Sequence, residues 1–180
     1  MEAANLGAWL AEASDDQIDE ALAILAKAPH YTESGYVEAA QKVLDLHPGG
    51  SASLAVPTWF YGHEPSNLFS PHIAKYFSNS LREDGLLAIA MHGVVYAPGS
   101  AGTTQEIFMD ATQNHYATFD LVSPMVFLGK ERYQEETGLY PTIQRLAEGR
   151  PYQKLLHLCD DPSEAVEWIL SHPPIQPSSS

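Results

Sequence analysis

Through the first 47 residues apolar side chains recur every three or four positions, the spacing that places them on one face of an α-helix. Breaks at Ser14-Asp15-Asp16, Pro29-His30 and Pro48-Gly49-Gly50 divide that stretch and predict helices at about 2–12, 17–28 and 34–46. After the last stop the period changes. SLAVPTWF, GVVYAP, PMVFLG and KLLHLC are short apolar runs with little polar alternation, as expected of strands covered on both faces. Helical stretches follow them at about 71–90, 103–116, 131–148 and 162–171. Strand and helix thus alternate four times from residue 52, which argues a parallel sheet with helices on both faces. The expected class is α/β, Rossmann-like, in one nucleotide-binding domain over 1–172, with a helical segment at 1–47 and an α/β core at 48–172. The tail 173–180, PPIQPSSS, is expected to be flexible, with nothing in it that packs.

Composition narrows the function more than the fold. The 180 residues carry 9 Lys and Arg against 23 Asp and Glu, a formal charge of -14. Most of such a surface repels a phosphate backbone, so a nucleic-acid polymer is not an expected partner. A small anion still fits, because backbone N–H groups at a helix start and one or two local cations suffice. The single cysteine, Cys159, makes no disulfide within the chain, and the N-terminus has no basic segment leading into an apolar one. No apolar stretch nears the roughly 20 residues of a bilayer span. A cytoplasmic protein with no membrane partner is the expectation.

In open parallel sheets ligands bind beyond the carboxyl ends of the strands. Here GVVYA runs into Pro98-Gly99-Ser100-Ala101-Gly102-Thr103-Thr104-Gln105-Glu106, a glycine-rich turn that opens a helix. Glycines let the backbone approach a phosphate, and the free N–H groups and dipole of the helix supply partial positive charge. The run is not a P-loop, having no Gly-Lys-Ser/Thr, and it lacks the G-x-G-x-x-G spacing of dinucleotide sites. Thr103 and Glu106 also have the spacing of a capping box, a purely structural device. On the residues alone both readings stay open.

Pro98 to Glu106 resembles the Pro-Gly-Gly-x-Gly-Thr-x-x-Glu signature of the Lonely Guy (LOG) family of nucleotide 5'-monophosphate phosphoribohydrolases, once misnamed lysine decarboxylases, with Ser100 in place of the second glycine. The lead-in His92-Gly93-Val94-Val95-Tyr96-Ala97 is similar to the longer bacterial nucleotide nucleosidases of that family. Met1-Glu2-Ala3-Ala4-Asn5-Leu6-Gly7-Ala8 resembles the segment that follows the family's glycine-rich phosphate loop. This second match implies that the chain starts at an internal methionine of a longer ancestral protein and lacks the first strands of its sheet. The resemblance further implies a nucleoside 5'-monophosphate ligand, no cofactor, a homodimer or larger homo-oligomer, and hydrolysis of the N-glycosidic bond to free base and ribose 5-phosphate. It implies catalytic roles for Glu106 and for Arg82, which lies one residue further from Pro98 than the family's arginine. Phosphate binding falls, on the same basis, to Pro98, Gly99, Ser100, Ala101, Gly102 and Thr103.

Such a reaction passes through an oxocarbenium-like sugar and needs a carboxylate near the ribose together with an activated water, which suits Glu106. Arg82, a permanent planar cation, suits phosphate or the charge developing on the departing base. Paired with Glu83 or Asp84 it is instead a surface residue. Trp59, Tyr61 and His63 follow the first strand at the same sheet edge, where a base can stack or be read. Asn79 lies one turn before Arg82 and joins them as a candidate substrate contact. A binding or regulatory module that holds a nucleotide without turnover fits the same residues. No metal site is expected, since none of the eight histidines falls in H-E-x-x-H and Cys159 has no C-x-x-C partner.

Overall fold

In the computed structural model, which describes residues 2–58 and 67–176, the amphipathic pattern of the first 47 residues becomes three helices. These are α1 (Glu2–Trp9), α2 (Asp15–Leu25) and α3 (Tyr36–Leu46). At the start of α2 the Ser14 backbone N–H donates to Gln17 Oε1 at 2.9 Å, and Asp15 and Asp16 face the positive end of the helix dipole. Ala21 and Ile24 of α2 meet Ala40 and Val43 of α3, with Leu10 and Phe69 closing the cluster. The Trp9 indole donates to the His47 carbonyl at 2.7 Å and ties α1 to the end of α3. These elements belong to the first of two compact units, Met1–Arg82.

The same unit holds two short parallel strands, β1 (Leu54–Ala55) and β2 (His72–Ile73), with Leu54 opposite His72 and Ala55 opposite Ile73. This corrects the helix expected over 71–90, which starts only at Asn79 as α4 (Asn79–Ile89). Ile73, Tyr76 and Phe77 satisfy a helical period, but they are also β-branched and aromatic, and the partner strand decides between the two. Ala74 N–H donates to the Ala55 carbonyl at 2.9 Å and Tyr76 N–H to the Pro57 carbonyl at 3.0 Å, which extends the pairing past β2.

The second unit, Glu83–Ser180, is built on β3 (Val94–Tyr96), β4 (Met125–Leu128) and β5 (Leu156–Cys159), parallel and in the order β3-β4-β5. Tyr96 stands opposite Phe127, and Phe127 opposite Leu158. The central strand is the most apolar and carries Met125, Val126 and Phe127 at 0% exposure. The outer strand β3 leaves Val95 exposed, so strands covered on both faces are found at β4 and not at β3. Around the sheet lie α5 (Ala101–Tyr116), α6 (Leu139–Leu146) and α7 (Pro162–Ser171). The core beneath gathers Ile107, Ala111, Tyr133, Ile143 and Tyr152 against Phe127.

Two further expectations are corrected here. The helix expected over 131–148 is interrupted: a π-helical turn over Glu131–Glu136 ends at Thr137, Gly138 takes φ +62°, and α6 begins afresh. Glycine adopts that left-handed conformation without the Cβ clash of other residues, so the break is local chemistry. In the tail, Ile175 exchanges two backbone hydrogen bonds of 2.9 Å with Val122, so residue 175 is held although the segment carries three prolines. The class is α/β with short parallel sheets. Among the described residues no helix is long and apolar enough to cross a membrane.

Candidate functional site

In the second unit β3, β4 and β5 run the same way, so their carboxyl ends share one edge and the β3–α5 turn lies there. Helix α5 begins at Ala101 with Ser100 as its N-cap residue. The Ser100 hydroxyl makes no capping bond; its carbonyl accepts from the Thr104 N–H at 3.0 Å and the Thr104 hydroxyl at 3.1 Å. Thr103 is the third residue of the helix and not its cap, which removes the capping-box reading of Thr103 and Glu106. Gly99 packs directly on Thr103: a Cβ added to Gly99 would lie 2.7 Å from the Thr103 Cβ. Only glycine allows that approach.

Arg132 and Tyr133, just beyond β4, fix the turn from below. The Arg132 guanidinium donates twice to the Gly99 carbonyl, from Nε at 3.1 Å and Nη2 at 2.6 Å, while Nη1 pairs with Glu136 at 2.9 Å. The Tyr133 hydroxyl donates to the Ala97 carbonyl at 2.5 Å. Both carbonyls are drawn toward protein donors, and the N–H groups of the first helical turn have no carbonyl within the helix to donate to.

Beside the turn is a cleft of about 370 Å³, lined by Glu83, Leu86 and Leu87 of α4, by Val94 to Pro98, and by Thr103 and Glu106 of α5. Its walls are mostly apolar, with two carboxylate residues, Glu83 and Glu106, and two hydroxyl residues, Tyr96 and Thr103, among them, the composition typical of a small-molecule site. Glu83 is completely buried there. Beneath the cleft runs a buried polar chain: the Tyr96 hydroxyl donates to Asp110, Asn114 donates to the other Asp110 oxygen at 3.1 Å, and the Ser123 N–H donates to Asn114 at 2.8 Å. Burial raises the Asp110 carboxyl to about 6, against the opposing hydrogen bond from Tyr96. Burial also raises the Tyr96 hydroxyl, and the charges of Asp110 and then Glu106 add to it. Tyr133 is pushed up to about 12 by burial, with Arg132 opposing and Glu106 adding. The charge of Glu106 is therefore felt by both tyrosines that frame the turn.

Of the residues singled out from sequence, Pro98, Gly99, Ser100, Ala101, Gly102, Thr103 and Glu106 come together in this one turn and its helix. Arg82 and Asn79 belong to the first unit; Arg82 is half-buried, with Nη1 3.5 Å from the Val56 carbonyl. Trp59, Tyr61 and His63 lie outside the described residues. Sequence reasoning gave no site role to Glu83, Asp110 or Arg132. A second set of ligand-type side chains, His157, Cys159 and Glu164, gathers at the end of β5 and matches none of the zinc spacings sought. No protein-family model matches the chain, and no curated protein sequence matches it either.

Proposed function

We propose that the second unit is part of a Rossmann-like, LOG-like nucleotide-binding protein that hydrolyses the N-glycosidic bond of a nucleoside 5'-monophosphate to free base and ribose 5-phosphate. The observation that carries this reading is the uncapped start of α5, with Gly99 packed on Thr103, beside a cleft that receives the carboxylate of Glu106. The phosphate lies against the N–H groups of residues 99–103, where the helix dipole favours an anion in a chain of net charge -14. Glu106 binds the ribose hydroxyls and takes a proton from the attacking water as the sugar becomes oxocarbenium-like, a contribution of about 10²- to 10⁴-fold. The apolar wall of Leu86, Leu87 and Val94 accepts the flat base. The working form is a homodimer or larger homo-oligomer, a part that rests on the resemblance alone.

The test is base release from a panel of nucleoside 5'-monophosphates by the protein and its Glu106→Gln variant. Release by the protein that falls at least about 10²-fold in the variant supports the hydrolase. Nucleotide that raises the melting temperature of both proteins with no base released makes the chain a binding module instead.

A further inference from the structure

At the carboxyl end of β5, His157 and Cys159 occupy alternate positions and share one face of the strand. Glu164, the third residue of α7, reaches the same place. One nitrogen, one sulfur and one oxygen from these three side chains all lie within 4.8 Å of one another. His157 Nε2 and Glu164 Oε1 are 2.9 Å apart. Cys159 is fully buried against Val126 and Ala165. The imidazole is held flat on the Trp168 indole, with ring centroids 4.1 Å apart and planes inclined by 6°. His157 and Glu164 keep 19% and 48% of their side-chain surface, which leaves a path from solvent. A His–Glu hydrogen bond accounts for two of the three groups; it has no use for a buried sulfur facing both.

We propose that His157, Cys159 and Glu164 bind one divalent transition-metal ion of the zinc class through Nε2, Sγ and a carboxylate oxygen. This site is independent of the nucleotide reading. Bonds of about 2.0 to 2.3 Å put neighbouring tetrahedral donors roughly 3.5 Å apart, so this trio closes on an ion by small side-chain rotations. The ion takes the place of the direct His157–Glu164 hydrogen bond, and the thiol releases its proton to solvent as the thiolate binds. Imidazole and thiolate select zinc or cobalt over magnesium or calcium, which prefer all-oxygen shells. Three protein ligands leave a fourth position for water, the arrangement of open rather than purely structural zinc sites.

Titration of the metal-free protein with Co²⁺ tests the site. The expected result is one ion per chain with a thiolate-to-cobalt charge-transfer band, quenching of tryptophan fluorescence through Trp168, and displacement by Zn²⁺. Cys159→Ser abolishes the band. Because Cys159 is buried, Glu164→Gln provides the second variant: it changes a half-exposed position, keeps the helical circular dichroism, and weakens Zn²⁺ binding by at least about tenfold. Absence of the charge-transfer band, or Zn²⁺ affinity unchanged in Glu164→Gln, overturns the proposal.

Discussion

Two strand-to-helix turns on the same edge of the three-stranded sheet solve the same problem in opposite ways. At the β5–α7 turn the Asp161 carboxylate accepts the Ser163 N–H at 2.9 Å and Pro162 occupies the first helical position, so the helix start satisfies itself. At the β3–α5 turn the N-cap hydroxyl of Ser100 makes no such bond, and Arg132 and Tyr133 are spent on the carbonyls of Gly99 and Ala97. A helix start with its own carboxylate has no need of an external anion. One that lacks it, beside a cleft and at the mouth of a parallel sheet, is suited to bind one.

Variants at the two turns separate their roles, beginning with the largest effect. Glu106→Gln lowers base release about 10²- to 10⁴-fold while nucleotide still raises the melting temperature, whereas Asp161→Asn, at the self-capped turn, leaves the rate within about twofold. Asp110, beneath the β3–α5 turn, produces the next effect. Its carboxyl titrates near 6 in the folded chain against 3.8 ordinarily, so the folded state binds the proton more tightly than the unfolded one. Stability associated with Asp110 is therefore full below about pH 4 and lost as pH rises through about 6, by up to roughly 3 kcal/mol. Urea unfolding of Asp110→Asn at several pH values is expected to lack that decline.

Gly99→Ala is expected to cost about 1–3 kcal/mol, because the new methyl overlaps Thr103, and the added Thr103→Ala substitution, which removes the hydroxyl and γ-methyl but keeps the Cβ 2.7 Å away, restores only part of it. Full additivity of the two changes breaks the packing account of the turn. The smallest pair compares the caps directly. Asp161→Ala costs about 1 kcal/mol by loss of a side-chain cap, and Ser100→Ala costs no more than a few tenths, both read by thermal unfolding. Equal costs at the two positions make the contrast between the turns incorrect.

What sequence conveys about this molecule is mostly local. Helix α7 falls at 162–171 as expected because Asp161-Pro162 writes its start into the chain, while α5 ends at residue 116 as expected and starts at Ala101, straight after the Pro98-Gly99-Ser100 break and two residues before the expected 103. The strand at His72–Ile73 is not legible, since the Leu54–Ala55 segment that draws it out of the helical pattern is distant in sequence. In the candidate site, Pro98 to Glu106 is contiguous and carries its own signal. Glu83 reads as one acid among many on an amphipathic helix, and only the fold buries it. Arg132 has no motif because its target is a backbone carbonyl 33 residues away. The His157, Cys159 and Glu164 group escapes motif search because its donors come from a strand and the next helix, at a spacing outside the common zinc patterns.

The most direct test of the contrast between the two turns is backbone amide NMR of the ¹⁵N-labelled protein during titration with a nucleoside 5'-monophosphate and, separately, with the corresponding nucleoside. The expected result is that the amides of Gly99, Ala101, Gly102 and Thr103 shift with the phosphate ester and much less with the nucleoside, while those of Ser163, Glu164 and Ala165 stay in place. Shifts of equal size with and without the phosphate, or unmoved amides across residues 99–103 at saturating nucleotide, contradict the assignment of the uncapped turn as the anion site.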